Sequence, residues 1–546
     1  MRFVFAAALF AAALLQSAEA AQAPHPGLVG PVVQANGEID NDTYHYDTLR
    51  SGWNNAESTL TVANVGSSSF GKLFASAVDG IPYTQPLIAA QESIPGEGVH
   101  DLLVAGTNRD RLYAFDANSG ATIWSDDFAV GGATAVPIGF NNCNNTGNSD
   151  GVLGTPVIDR ATDSLYVVAA TLVGKKGQRT MQYHLHRLHL ATGAEFAGSP
   201  VLIQATYNWS GGTLTFNPNV QFQRPALLEQ TSLSGGDPQI DIGFGSQCDY
   251  NGNLYHGWVI GYDAYSLAQT AVLNVTPAQD SYGNYFGGVW MSGGGLAEDA
   301  AGSVYFSIGN GTFDGVTSFG ESVVKLPPNL STGGSGFQFF TPYTVYSDNA
   351  NDADTGSGGV LLLPDQPGPY PHEMVAQGKD GVLTLLDRDN MGGYVPGGPD
   401  NALAELNLGG VWASPAYYQD ASGNAYVYTT GGPLYSVQIS NGSANVVGET
   451  NVGFPSDNGN GSTPTISSNQ SAAGTAIAWI VQRPAYTQSQ PLVLYAFDAT
   501  NLSAQLFKYK LGKWPAGGSN PTLVPTVANG KVYVADGKSI IAFGLH

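Results

Sequence analysis

The stretch RLYAFDANSGATIW, residues 111–124, decides the fold. Leu112 and Ala114 alternate with Tyr113 and Phe115, the period-two pattern of a strand with two different faces. Asp116, Asn118, Ser119 and Gly120 crowd the next positions. Asp, Asn and Ser side chains bond nearby backbone and Gly accepts positive φ, so these residues turn the chain. From Ala121 to Trp124 the apolar pattern resumes. The stretch therefore predicts a β-hairpin with a tryptophan at its far end. The hairpin recurs: LVLYAFDATNLSAQLF at 492–507 repeats YAFDA, WVIGYDAYSLAQTAVL at 258–273 keeps Tyr-Asp-Ala, and HRLHLATGAEF at 186–196 keeps the turn as ATG.

Each recurrence belongs to a longer module of three strands. First strands start with small residues or proline: QPLIAA at Gln85, TPVID at Thr155, RPALL at Arg224, SGGGLAED at Ser292, SGGVLLL at Ser357, SPAYY at Ser414, TPTIS at Thr463 and VPTVA at Val524. Second strands such as LYVVAA, AYVYTT and KVYVA follow, then thirds such as LYAFD and IIAFG. Repetition at this spacing is the signature of a propeller. With 71 glycines and only 12% charged residues, the composition suits an all-β, turn-rich chain. The expectation is a single eight-bladed β-propeller over residues 70–546, with seven blades as the fallback because the sixth and eighth modules are short. The last module runs out after three strands, while FGKLFASAV at 70–78 is a spare strand. That strand should pair with residues 540–543 and close the ring, protecting otherwise open edges.

Residues 1–20 read as a signal peptide: Arg2, an apolar run, then Ala18-Glu19-Ala20. A periplasmic or extracellular address after cleavage is expected. Residues 21–69 form an N-terminal arm, with DNDTYHYDTLRSGWNN at 40–55 a loop lying over the body. The formal net charge of −23 argues against nucleic acid, and no second apolar run has spanning length, which argues against membrane insertion. A monomer is expected. Cys143 and Cys248 are the only cysteines. In an oxidising compartment they suit one disulfide, and their loops belong to neighbouring modules on one face.

The residues AFDANSGATIW at 114–124 resemble the tryptophan-docking signature of the quinoprotein propellers, Ala-x-Asp-x-x-x-Gly-x-x-x-Trp, through Ala114, Asp116, Gly120 and Trp124. The repeated TPxI…LYV…LYAFD pattern is similar to the pyrroloquinoline-quinone (PQQ)-like repeat family. That resemblance implies an eight-bladed fold and, where the family is catalytic, a PQQ- and Ca²⁺-dependent oxidation of alcohols or sugars.

In a propeller, the loops leading into the inner strands and those joining second to third strands share one face, and sites gather there. The first set supplies Gln85, Asp150, Arg224, Trp290, Asp354 and Trp412, and the second Arg109, His256, Asn310 and Lys379. Cations can bind the carboxylates of a quinone cofactor and an indole can stack on its plane, so Gln85, Arg109, Asp150, Arg224, Trp290, Asn310 and Trp412 are candidates for holding it. Asp354, Lys379 and His256 are candidates for proton transfer. Asp348, Asp352 and Asp354 place hard oxygen donors on a Gly-rich loop that could hold Ca²⁺, although no Glu closes it as in an EF-hand. His184 and His186 of HLHRLH would share one face of a strand and His189 the other. The same face would equally serve a carbohydrate-binding or carbohydrate-active propeller without a redox cofactor, or a non-catalytic scaffold that binds a protein partner.

Overall fold

The computed structural model describes residues 29–137, 139–140, 149–231, 236–247, 255–280, 285–454, 461–483, 491–514 and 523–546. Eight antiparallel four-stranded blades are arranged in a ring. Blade 1 shows the plan: inner strand Leu87–Ile94, then Gly98–Gly106, Arg111–Asp116 and outer strand Thr122–Asp127. The inner strands of blades 2 to 8 are Val157–Asp159, Leu228–Gln230, Ala297–Glu298, Val360–Leu362, Ala416–Gln419, Thr465–Ser467 and Thr526–Ala528. Phe70–Ala77 is the outer strand of blade 8. It pairs antiparallel with Ser539–Leu545, with Ser76 opposite Ile540 and Lys72 opposite Phe543, and so closes the ring as expected. Cys143, Cys248 and residues 1–20 lie outside the described residues.

The 111–124 hairpin forms as read, and its details explain why the motif recurs. Asp116 Oδ1 accepts the backbone N–H groups of Asn118 and Ser119 and the Ser119 hydroxyl, fixing the turn. Asp263 repeats this with Tyr265 and Ser266. Trp124 leaves its own blade: its indole N–H donates to Leu190 O of blade 2 at 2.9 Å. Its ring lies on Gly193 (φ +72°), where a Cβ would sit 2.7 Å from the indole, so the ATG turn needs glycine there. A tyrosine of the second strand makes a matching clasp. Tyr533, Tyr166 and Tyr428 donate their hydroxyls to the turn carbonyls of Ala117, Ala264 and Ala499 in the next blade. A buried hydrogen bond of this kind stabilises by about 1 kcal/mol. The Tyr of the YV motif and the Ala of the Asp-Ala turn are thus two halves of one inter-blade contact.

The N-terminal arm does not lie over the body. Residues 40–54 run inside the ring, almost wholly buried, and bond to every blade. Asn41 exchanges backbone hydrogen bonds with Ile88 of blade 1. Ile158 of blade 2 donates to Asp42 O, Glu298 of blade 4 to Thr48 O and Leu362 of blade 5 to Leu49 O. Tyr417 of blade 6 donates to Ser51 O, and Ile466 of blade 7 to Gly52 O. Arg50 Nη2 reaches Leu227 O at the head of the blade 3 inner strand, and the Tyr46 hydroxyl both donates to and accepts from Val527 of blade 8. Trp53–Asn54 adds a short parallel strand to blade 7. A ring of inner strands offers unpaired backbone groups toward its axis, and the arm satisfies them one blade at a time. Among the described residues no helix is long and apolar enough to cross a membrane.

Candidate functional site

At the mouth of the ring, in the loops that lead into the inner strands, Trp290 precedes blade 4, Asp354 precedes blade 5 and Trp412 precedes blade 6. Lys379 and Asn310 come from the second-to-third-strand loops of blades 5 and 4. The structure brings these together. Lys379 Nζ forms a close ion pair with Asp354 Oδ2, lies 2.8 Å from Asp352 Oδ1, and stands 5.3 Å from the centre of the Trp412 ring. Asn310 donates its backbone N–H to Asp354 Oδ1 at 2.7 Å, and its side-chain amide lies 3.4 Å from Asp352. Burial pulls the Lys379 pKa down, but the Asp354 and Asp352 carboxylates outweigh it and hold the ammonium above its ordinary value. Trp412 Nε1 is buried without a hydrogen-bond partner.

Trp290 sits on glycine. A Cβ at Gly245, Gly288 or Gly309 would stand 2.9, 2.6 or 2.9 Å from its indole, so no side chain can share that floor. Met291 and Ser292, which follow it, have φ of 47° and 49°. Backbone held in the left-handed region by non-glycine residues is costly and persists only where the surroundings enforce it. The Arg224 guanidinium is 6.0 Å from the Trp290 ring and 5.7 Å from Phe222. Arg224 and Arg483 are both buried at this mouth. Their pKa values are lowered to about 10, chiefly by burial, with the Arg224 charge adding to the effect on Arg483 and Tyr83 partly offsetting it for both. Asp150 is the carboxylate that faces Arg224. It also accepts a hydrogen bond from Gln247 at 2.5 Å.

Beneath Asp354 lies a group absent from the sequence reading. Glu321 is fully buried with φ +55°; its Oε2 accepts the Thr355 N–H at 2.7 Å and its Oε1 has no partner. Burial, then the Asp354 charge, push its pKa well above the carboxylate range. Arg483 and Tyr83 were also absent from that reading. Arg483 occupies the second-to-third-strand loop of blade 7, the position Lys379 takes in blade 5. In a chain with only 20 Lys and Arg, that was the signal available.

Other candidates are placed elsewhere. Gln85 is buried, and its Oε1 accepts the His45 N–H, so it serves the arm. Arg109 pairs with Asp79 at 2.9 Å on the exposed rim. His256 is buried at the blade 3–4 boundary, with Nδ1 on Thr276 O at 2.9 Å and its ring against Tyr285; burial lowers its pKa to about 4. These contacts describe a packing residue. The three acidic-loop carboxylates do not converge either. Asp348 lies in the helix Val345–Asn351 and bonds Thr344, whereas Asp352 and Asp354 are bridged by the Lys379 ammonium. Among the described residues no group of three His, Cys, Asp or Glu is placed to hold a metal ion. This donor set does not fit calcium, and no step is derived through a metal.

No protein-family model and no curated protein sequence matches the chain. Solved structures do. A quinohemoprotein alcohol dehydrogenase from Comamonas testosteroni superposes with a TM-score of 0.58 at 14% identity, over 92% of this chain and 80% of that one. Quinohemoprotein alcohol dehydrogenase ADHIIG from Pseudomonas putida HK5 gives 0.55 at 13%, over 93% and 80%. A europium-containing methanol dehydrogenase gives 0.54 at 12%, over 94% and 99%. The quinoprotein-like propeller resemblance read from the repeats is therefore present in the fold. At these identities the likeness is one of architecture.

Proposed function

We propose that this chain is a PQQ-dependent oxidoreductase acting on an alcohol or sugar hydroxyl. The observation that carries the reading is the convergence at the ring mouth of two buried guanidinium groups, an indole on a glycine floor, and a Lys–Asp pair. PQQ is a planar tricarboxylate, and this set suits it. Arg224 and Arg483 would meet its carboxylates, and Trp290 would meet its plane. The buried Trp412 N–H offers an unused donor. When bound, PQQ supplies a two-electron acceptor for the carbon-bound hydrogen of the substrate.

The chain's own residues would manage the proton. Asp354 is the base for the substrate hydroxyl. Lys379 and the Asn310 N–H occupy one lone pair on each of its oxygens, fix its orientation, and leave lone pairs free. Such positioned bases contribute about 10²–10⁴-fold to rate. Lys379 also stabilises negative charge developing beside it.

The test is PQQ titration followed by Trp fluorescence, then dye-linked assays over an alcohol and sugar panel, with and without Ca²⁺. Stoichiometric quenching and dye reduction are expected, with activity reduced by about 10²–10⁴-fold in Asp354→Asn. Absence of PQQ binding under all these conditions would sink the proposal and leave a cofactor-free propeller.

A further inference from the structure

Blades 1 and 2 flank an open cavity of about 540 Å³, which neither Asp354 nor Lys379 lines. One wall is the blade 2 strand Thr180–His189, and another is the 126–133 connection leaving blade 1. His184 and His186 stand on the same side of that strand, as residues two apart must, and both line the cavity. Their ring centres are 6.2 Å apart with planes at 60°. His189 points to the other face and stacks on Phe196.

His186 is held in one orientation. Its Nδ1 lies 2.6 Å from Glu195 Oε1, and its ring packs on Phe128 at 4.2 Å. A carboxylate at Nδ1 fixes the tautomer that keeps the proton there, which leaves the Nε2 lone pair free. This carboxylate–histidine arrangement orients and strengthens an imidazole as a ligand. His184 is half-buried in the same wall. Asp126 lines the same cavity.

We propose that His184 and His186 form a two-histidine site for a borderline transition-metal dication of the Cu²⁺ or Zn²⁺ class, with Glu195 as the positioning carboxylate. Imidazole pairs favour such ions over Ca²⁺ or Mg²⁺. No third His, Cys, Asp or Glu joins the pair among the described residues, so water completes the coordination.

The site is tested by titrating the full-length protein with Cu²⁺ alone, by calorimetry and by electron paramagnetic resonance. One ion per chain with nitrogen hyperfine structure is expected. Binding should be lost in His184→Gln and in His186→Gln, and should weaken about 10–100-fold in Glu195→Gln. Circular dichroism should be unchanged throughout. Absence of stoichiometric Cu²⁺ binding, or binding that persists in the double His184→Gln/His186→Gln variant, would overturn the proposal.

Discussion

Arg50 is the most informative single residue to change. Its buried guanidinium donates to Leu296 O of blade 4 at 2.7 Å and to Leu227 O of blade 3 at 3.2 Å. It also bonds Thr43 Oγ1 at 2.8 Å and Tyr44 O at 3.0 Å within the arm. Arg50→Met keeps most of the stem and deletes every donor. Each carbonyl left buried and unpaired costs about 1–3 kcal/mol, so the two cross-blade carbonyls alone account for about 2–6. Breaking a buried charged network costs about 3–5 kcal/mol by a separate route, and about 4 is a fair central figure. At about 2.1 cal/mol/K of unfolding entropy per residue, a chain of this size has about 1 kcal/mol/K in all, so the midpoint should fall by about 4 °C. Differential scanning calorimetry measures the fall, and limited proteolysis should cut within the arm in the variant first. Arg50→Lys, which restores charge and part of the donor set, should lie between. An unchanged midpoint in Arg50→Met would refute the claim that this guanidinium ties the arm to the ring.

Stability should decrease as pH rises from 6.5 to 8. Burial raises Asp42 and Asp241 to about 8, so the folded state holds protons that the unfolded chain, with carboxylates near 4, has already lost. Each such group contributes a slope of up to about 1.4 kcal/mol per pH unit. His45 and His256, lowered by burial to about 3 and about 4, give the opposite slope only below their unfolded value near 6.5. Urea midpoints flat or rising across 6.5–8 would contradict this. Glu321→Gln should lower the melting temperature by less than Glu321→Ala, because the amide keeps the shape and an acceptor for the Thr355 N–H. A Gln variant as damaged as the Ala variant would show that the acceptor for the Thr355 N–H is not what holds this position. Gly309→Ala would place a Cβ 2.9 Å from both Asp354 Oδ1 and the Trp290 ring. It should therefore shift Trp290 fluorescence with little change in far-ultraviolet circular dichroism, and an unaltered spectrum would show that the floor yields.

The repeats made the blades legible because each hairpin is local. Its Asp and Gly act on backbone within four residues, and its Trp and Tyr find the same turn in the next blade. The arm left no such trace. Residues 40–54 meet eight different strands, so no neighbour repeats and no periodic pattern develops. What survives in the sequence is a polar, aromatic run that reads as a surface loop. At the candidate site, loop class grouped Asp354, Lys379, Asn310, Trp290 and Arg224, which the fold brings near one another at the ring mouth. It could not tell which way a side chain points, and Gln85 and His256 therefore turned out to serve packing. Glu321 sits just before its strand and carries no motif. Only its burial beneath Asp354 marks it.

The arm also dictates a folding order. Ile39 bonds Asn529 across 490 positions of sequence. The ring itself closes between Phe70–Ala77 and Ser539–Leu545. Contacts this distant in sequence are slow to form, since the loop entropy must be spent before any of them is rewarded. By this argument the arm should be among the last segments to find its place. Until blade 8 exists, the arm lacks one of its eight partners and the first blade lacks a neighbour. A chain whose arm is unseated exposes inner-strand edges, and molecules with such edges are open to aggregation. Seating the arm removes that exposure at a single stroke, because one segment reaches every blade.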